Sequence, residues 1–208
     1  MISPKGGSPI ASNNPNPKLV LASESPRRLA LLAQIGVTPD AVIPAHIDEV
    51  SLKNELPRLH AQRLAIAKAA NIAQQVDAAT LVLAADTVVA CGRRILPKAM
   101  NDDDVRSCLK MLSGRSHQVF TAVTIAKNDG CVRHRTVMTR VSFIRLSPDA
   151  IERYVRNQEG LGKAGGYAIQ GRAEAYVRQI SGSYSNVVGL PLMETVNLLA
   201  GCGYRVSC

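Results

Sequence analysis

An α/β fold, with helices packed on a sheet, is the class this chain predicts, and three observations carry the prediction. A short apolar run, Leu19 to Ala22, leads directly into Ser25-Pro26, which reads as an N-cap followed by a proline at the first helical position, so a strand runs straight into a helix start. A second apolar segment, Thr80 to Ala85, follows a long helical stretch and reads as a central strand. Two further segments, His117 to Ala126 and Thr136 to Leu146, alternate enough to be strands, and Asn128-Asp129-Gly130 between them signals a hairpin turn.

The 208 residues suit one large domain able to bury a substantial core without staples. The expected division is a disordered leader over 1–17, rich in Pro, Gly, Ser and Asn, and a single domain over 18–208. The leader has no apolar core of a signal peptide. Lys and Arg number 25 against 16 Asp and Glu, a formal net charge of +9, which favours polyanionic partners. The basic residues are scattered, with no run of five, and only 3% of residues are aromatic, with no Trp, so nucleic acid is the weaker partner and a nucleotide the stronger. Five cysteines, odd in number and without a Cys-x-x-Cys pair, point to reduced thiols in a cytoplasm. The longest apolar run, Ala78 to Val89, is interrupted by Asp86 and falls short of the roughly 20 residues of a membrane span.

In order along the chain, the helix begun at Pro26 places Leu29, Leu32, Ala33 and Gly36 at helical spacing and stops near Gly36. Ala41 to Ile43 reads as a short strand, with Asp48 and Glu49 in the loop beyond it. Glu55 to Val76 reads as a helix with an imperfect apolar face of Leu56, Leu59, Leu64, Ala67, Ala70 and Ile72. Asp86-Thr87 is expected to end or kink the central strand before Val88-Val89. Arg93 to Lys98 reads as a turn, and Asn101 to Leu112 as a helix with Asp102 to Asp104 well placed at its start. Ser147-Pro148 opens a further helix to about Asn157, with Ile151, Tyr154 and Val155 inward. A glycine-dense loop follows from Gly160 to Gly171, then a strand from Ala175 to Ile180, a hydroxyl-rich turn from Gly182 to Asn186, and a closing helix from Leu190 to Ala200.

Chemistry concentrates at a few of these places. A helix start presents unpaired N–H groups and the positive end of the macrodipole, and Ser23, Ser25, Arg27 and Arg28 add hydroxyl and guanidinium donors there. The competing reading is an ordinary capped helix with solvated arginines. Two cations in a first turn oppose the dipole, by about 0.3–1 kcal/mol each, unless an anion compensates them, which favours an anion cradle. Asp86 is a carboxylate beside a buried strand, costly unless paired, metal-bound or at a cleft mouth, and ligand sites of α/β sheets collect at carboxyl ends of strands. Lys68, by pattern alone, is a solvated helical lysine. Glycine density from Gly160 to Gly171 permits either close approach of a ligand or plain flexibility, and matches neither a Walker A nor a dinucleotide fingerprint. The four histidines form no metal-binding spacing, and no Gly-x-Ser-x-Gly elbow is present.

Four blocks, Ser23-Glu24-Ser25-Pro26-Arg27-Arg28, Ala85-Asp86-Thr87-Val88-Val89, Gly162-Lys163-Ala164-Gly165-Gly166-Tyr167-Ala168-Ile169-Gln170-Gly171 and Gly182-Ser183-Tyr184-Ser185-Asn186-Val187-Val188-Gly189-Leu190-Pro191, together resemble the Maf family of nucleoside triphosphate pyrophosphatases. The resemblance runs from about Lys18 to the C-terminus, and the later blocks are most similar to the branch acting on dTTP and UTP. It implies a fold related to the inosine-triphosphatase group, a twisted mixed sheet flanked by helices with a central cleft between two lobes. It also implies roles: Asp86 as proton acceptor, Ser23, Arg27, Lys68 and Lys98 as the phosphate and catalytic shell, and Glu49 as an acidic residue near a metal that Asp86 also faces. Arg28, Thr87 and Gln170 match positions tied to nucleotide selection. Two departures stand out: Ala30 where the family usually has Glu, and Pro97-Lys98-Ala99 where it usually has Gly-Lys-Pro.

The activity so implied is hydrolysis between the α and β phosphates, with Mg²⁺ or Mn²⁺ arriving with the substrate and keeping several waters. A homodimer is the assembly the family suggests. Two alternatives remain at this level: a nucleotide- or nucleic-acid-binding regulator of cell division without turnover, and a house-cleaning enzyme for other non-standard nucleotides. Pyrophosphate release over a nucleotide panel separates them.

Overall fold

The computed structural model describes residues 16–206, so most of the expected leader lies outside the described residues. Seven strands form one mixed sheet: β1 (Leu19–Ala22), β2 (Ala41–Val42), β3 (Leu81–Cys91), β4 (Arg94–Leu96), β5 (Ser116–Ala126), β6 (Val132–Phe143) and β7 (Val177–Ser181). The order is β2-β1-β3-β5-β6-β7, with β4 added to β3. β1 pairs parallel with β2 and β3, and the other pairings are antiparallel. The α/β class and the mixed sheet of the resemblance are therefore what the chain adopts.

Helices cover both faces. α2 (Pro57–Ala73) lies on one face, where Ala69, Ile72 and Ala73 pack with Val20, Ala22, Val82 and Ala84. The larger core fills the other face, where α1 (Pro26–Gln34), α3 (Asp102–Leu112), α4 (Pro148–Arg156) and α6 (Leu192–Gly201) bury Leu32, Leu109, Tyr154 and Leu199 against β1, β3, β5 and β6. A short helix, α5 (Tyr184–Val188), occupies the segment read as a hydroxyl-rich turn; Ser183 caps it by accepting from the Asn186 N–H.

Several expectations change in contact with the sheet. β3 runs through Asp86 and Thr87 without ending or kinking, because β5 pairs with it continuously from Val82 to Ala90. Arg93 to Lys98 is no plain turn: Arg94–Leu96 returns as a strand alongside Val89–Cys91. β6 begins four residues earlier than the alternation suggests, carried by its full register with β5. On α1 the buried residues are Leu31 and Leu32, whereas Leu29 is 41% exposed. Leu56, at the N-cap of α2, and Leu59 face outward, and the inward stripe is His60, Ala61, Leu64, Ala65, Lys68, Ala69 and Ile72. The stripe has the right period but includes a histidine and a lysine, which is why its apolar pattern looks imperfect.

Candidate active site

The site begins as a gap in the sheet. Along one edge β3 pairs with β1 only as far as Ala22 opposite Ala84, and with β4 only from Val89 opposite Leu96, so residues 85–88 face no strand there. On the other edge Asp86 sits opposite Ala122 and Thr87 opposite Thr121. Alternation along the strand sends these two side chains to opposite faces. Asp86 reaches toward α2, and Thr87 toward α5. Asp86 thus lies mid-strand, yet just past the carboxyl end of its parallel neighbour β1.

Lys68 closes the notch from α2. Its Nζ donates to Asp86 Oδ1 at 2.7 Å and pairs with Glu49 Oε1 at 2.5 Å, while Lys98 Nζ donates to Glu49 Oε2 at 2.5 Å. Far from being solvated, Lys68 is 8% exposed and Asp86 5%. Removing one member of such a buried pair typically costs about 3–5 kcal/mol, because the other charge is left uncompensated. Burial alone would raise the Glu49 carboxyl, but hydrogen bonds from Lys68 and Lys98 outweigh it and hold the group down to about 2. The Glu49 loop is tied to α2 by Glu55, whose carboxylate accepts from the Leu52 N–H, from His60 Nδ1 at 2.8 Å and from Arg63 Nε and Nη2 at 2.7 and 2.8 Å.

The turn from β1 into α1 forms the next wall. Ser25 occupies the N-cap position as expected, but its hydroxyl caps no helix N–H; the matching Ser147 accepts from the Ala150 N–H at 3.2 Å. Ser23 Oγ accepts from the Ser25 N–H and from Arg28 Nη1, at 3.2 and 3.0 Å, so its own hydrogen is left to donate. Arg27 faces the cleft without a carboxylate in reach among the described residues, and burial pulls its guanidinium below its ordinary value. Arg28, expected beside it as a donor to the anion, turns inward instead. Its Nε donates to Gly189 O at 2.9 Å and its Nη2 to Thr87 Oγ1 at 3.3 Å. Because Thr121 Oγ1 donates to Asn186 O at 2.8 Å, Thr87 donates to Thr121 at 3.0 Å, and the chain of hydrogen bonds has one direction, from Arg28 to the α5 backbone.

The glycine-dense segment supplies the facing wall and is not a slack loop. Lys98 bridges Ala164, Ala99 N–H donates to Lys163 O at 3.1 Å, and Gly165 N–H donates to Pro97 O at 3.2 Å. These bonds aim Lys98 despite its altered flanks. Gly165 has φ of +72° and lies so close to β3 that an added Cβ would meet Val89 Cγ1 at 2.8 Å. Farther along, the buried Tyr167 hydroxyl meets His117 Nε2 at 2.8 Å, and Gln170 reaches the cleft from an exposed position.

The resulting cleft, of about 500 Å³, is lined by Ser23, Arg27, Arg28, Glu49, Lys68, Asp86, Thr87, Lys98 and Gln170, so every expected site residue meets in one cavity. Lys163 lines it too and was not expected as a site residue; the signal available was a cation inside a glycine-dense segment. Among the described residues no three His, Cys, Asp or Glu side chains gather as a metal cage. Asp86 and Glu49, joined through one ammonium, are the oxygen donors that could hold a divalent cation, a donor set suited to hard ions that keep water and phosphate ligands.

The model of the family described as "Maf-like protein" matches residues 18–202. A protein of Caulobacter vibrioides named dTTP/UTP pyrophosphatase is 57% identical over 189 residues, covering 91% of this chain and 97% of that one. Another of that name, from Rhodopseudomonas palustris, is 54% identical over 195 residues, covering 91% and 94%. Among solved structures, a HAM1 protein from Coxiella burnetii shares the fold with a TM-score of 0.51 at 16% identity, over 88% of this chain and 98% of that one. The match across nearly all of the folded chain and the notch with its charges agree: this chain belongs to the Maf-like protein family.

Proposed function

We propose that the protein is a nucleoside triphosphate pyrophosphatase that hydrolyses the α–β phosphate bond of dTTP and UTP, releasing the monophosphate and pyrophosphate. The observation that carries the reading is Asp86, a buried carboxylate that shares one cleft with Arg27, Lys68, Lys98 and Lys163. Relatives that carry this activity in their names, at more than half identity, support it.

In this mechanism a water held against Asp86 attacks the α-phosphorus, its proton passes to an Asp86 oxygen, and the bond to the bridging oxygen of pyrophosphate breaks. Lys68 fixes Asp86 through Oδ1 and leaves Oδ2 for the water. Arg27, Lys68 and Lys98 hold the phosphate oxygens on which negative charge accumulates. Ser23 donates its free hydroxyl hydrogen, and Arg28, Thr87 and Gln170, which line the same cleft, select the base. Mg²⁺ or Mn²⁺, held by Asp86 and Glu49, would supply Lewis-acid neutralisation of the phosphate charge. A reducing cytoplasm suits the free thiols of Cys91, Cys108, Cys131 and Cys202, and a homodimer is the assembly that family membership leads us to propose.

Pyrophosphate release from a panel of nucleotides with Mg²⁺ or Mn²⁺ tests the reading, with dTTP and UTP expected as the best substrates. Asp86→Asn is expected to lower kcat by about 10²–10⁴ while the chain still folds, because Lys68 keeps its ion pair with Glu49. Turnover within threefold of the parent protein would remove Asp86 from the role.

A further inference from the structure

The cleft holds two cations, Arg27 and Lys163, that no carboxylate of the described residues neutralises. Glu49 neutralises Lys68 and Lys98, and Asp86 shares Lys68. Arg27 and Lys163 have no carboxylate within ion-pair distance among the described residues, although both line the same cleft. Lys163 Nζ makes one hydrogen bond, to Leu161 O at 3.1 Å, so two of its three hydrogens remain for a ligand. Burial, and after it the charge of Arg27, pulls the Lys163 ammonium below its ordinary value. Two half-buried cations facing one cleft raise the local positive potential and favour an anion between them.

The backbone under Lys163 is fixed before any ligand arrives. Its N–H donates to Gly160 O at 3.2 Å and its carbonyl accepts from Ala99 and Gly166, at 3.1 and 3.0 Å. Gly165 and Gly166, both at positive φ, seat the segment against β3 and α3 so tightly that a Cβ would meet Val89 at 2.8 Å or Cys108 at 3.0 Å. The side chain therefore starts from a rigid platform joined to Lys98, an arrangement that limits the ordering cost of holding an anion.

We infer that Lys163, together with Arg27, forms the subsite for the two phosphoryl groups that leave as pyrophosphate. The assignment rests on the pyrophosphatase reading and follows from position. The phosphorus under attack must lie by Asp86, and neither Arg27 nor Lys163 is within ion-pair distance of Asp86 or Glu49. On that assignment, an anion between these two cations is the part of the substrate that does not meet the water. Lys163 is a binding and specificity residue for the length of the phosphate chain, distinguishing a triphosphate from shorter nucleotides.

The test uses the full chain and the two products as separate probes, inorganic pyrophosphate and dTMP, each titrated calorimetrically with Mg²⁺. Lys163→Met keeps the apolar stem and removes the charge. It is expected to weaken pyrophosphate by at least about tenfold, the equivalent of one lost charge-assisted contact. Binding of dTMP should stay within twofold, and Lys163→Arg should restore pyrophosphate binding to within threefold. For dTTP turnover the loss should fall on KM more than on kcat. Equal weakening of both products would make Lys163 a structural support of the loop, and unchanged pyrophosphate affinity would remove it from the subsite; either result overturns the inference. If the parent protein turns over no triphosphate yet binds pyrophosphate through Lys163, the pyrophosphatase reading fails and the subsite stands.

Discussion

Single side chains decide how much of this site a sequence can reveal. Lys68 sits on a helical stripe whose other members, His60 apart, are apolar, and by pattern it is an ordinary surface lysine; only the gap in the sheet opposite makes it the partner of Asp86. Arg28 shows the reverse. It looked like a free donor at a helix start, yet its fork is spent on Ser23, Thr87 and Gly189, because α1 meets the sheet by the face that Arg28 opens. His117, one of four histidines without a metal-binding spacing, is structural: it is 1% exposed, packs edge-on against Phe143 and Tyr167, and leaves Nδ1 unpartnered. Burial pushes its pKa from 6.5 down to about 4. The unfolded chain therefore takes up a proton near 6.5 that the folded chain refuses until about 4, so the stability of the neutral imidazole is complete above 6.5 and drains away as pH falls toward 4. His117→Phe is expected to lose about 1–3 kcal/mol at pH 7, through the orphaned Tyr167 hydroxyl. In urea titrations the gap to the parent protein should narrow at pH 5; a gap that widens on acidification contradicts this account.

Among the elements, strand and helix positions were legible where local chemistry is strong: β1, the Ser-Pro starts of α1 and α4, and α3 with Asn101 accepting from the Asp104 N–H. What was not legible depends on partners distant in sequence. A carboxylate in a buried strand is costly, so Asp86 by itself marks a strand end, but β5 carries the strand through and Lys68 offsets the cost. Lys163 was hidden for the same reason, since its role requires the bridge to Lys98. The loop carrying Glu49 is held to α2 by the Glu55 knot, where hydrogen bonds from Arg63 overcome burial and hold the carboxyl down to about 2. A depressed carboxylate contributes stability that is complete above its unfolded value of 4.5 and is lost as pH falls through about 2. Glu55→Gln should therefore flatten the acid limb of a stability-against-pH curve between those values. It should also quicken hydrogen exchange in residues 48–56 at neutral pH. An unchanged acid limb would show that Glu55 titrates alike in both states and that the knot is not what anchors the loop.

At the scale of the whole molecule the formal net charge of +9 meets a substrate that is itself a compact polyanion, so the protein should attract nucleotide before any contact forms. Which charges act depends on salt. A chain of this length has a radius of gyration of about 17 Å. The Debye length is about 30 Å at 0.01 M and about 8 Å at 0.15 M. At low ionic strength the entire surplus, scattered residues included, therefore lies within reach of an approaching triphosphate, whereas near physiological salt only cations lining the cleft, Arg27, Lys98 and Lys163 among them, still act. The expected result is a fall of kcat/KM for UTP of at least about tenfold from 0.01 to 0.5 M KCl, with most of the fall below 0.15 M and kcat at saturating UTP within about twofold throughout. A flat kcat/KM would mean that association does not depend on the field of the protein. A fall confined to salt above 0.15 M would assign attraction to the cleft alone and leave the scattered surplus without a part in capture.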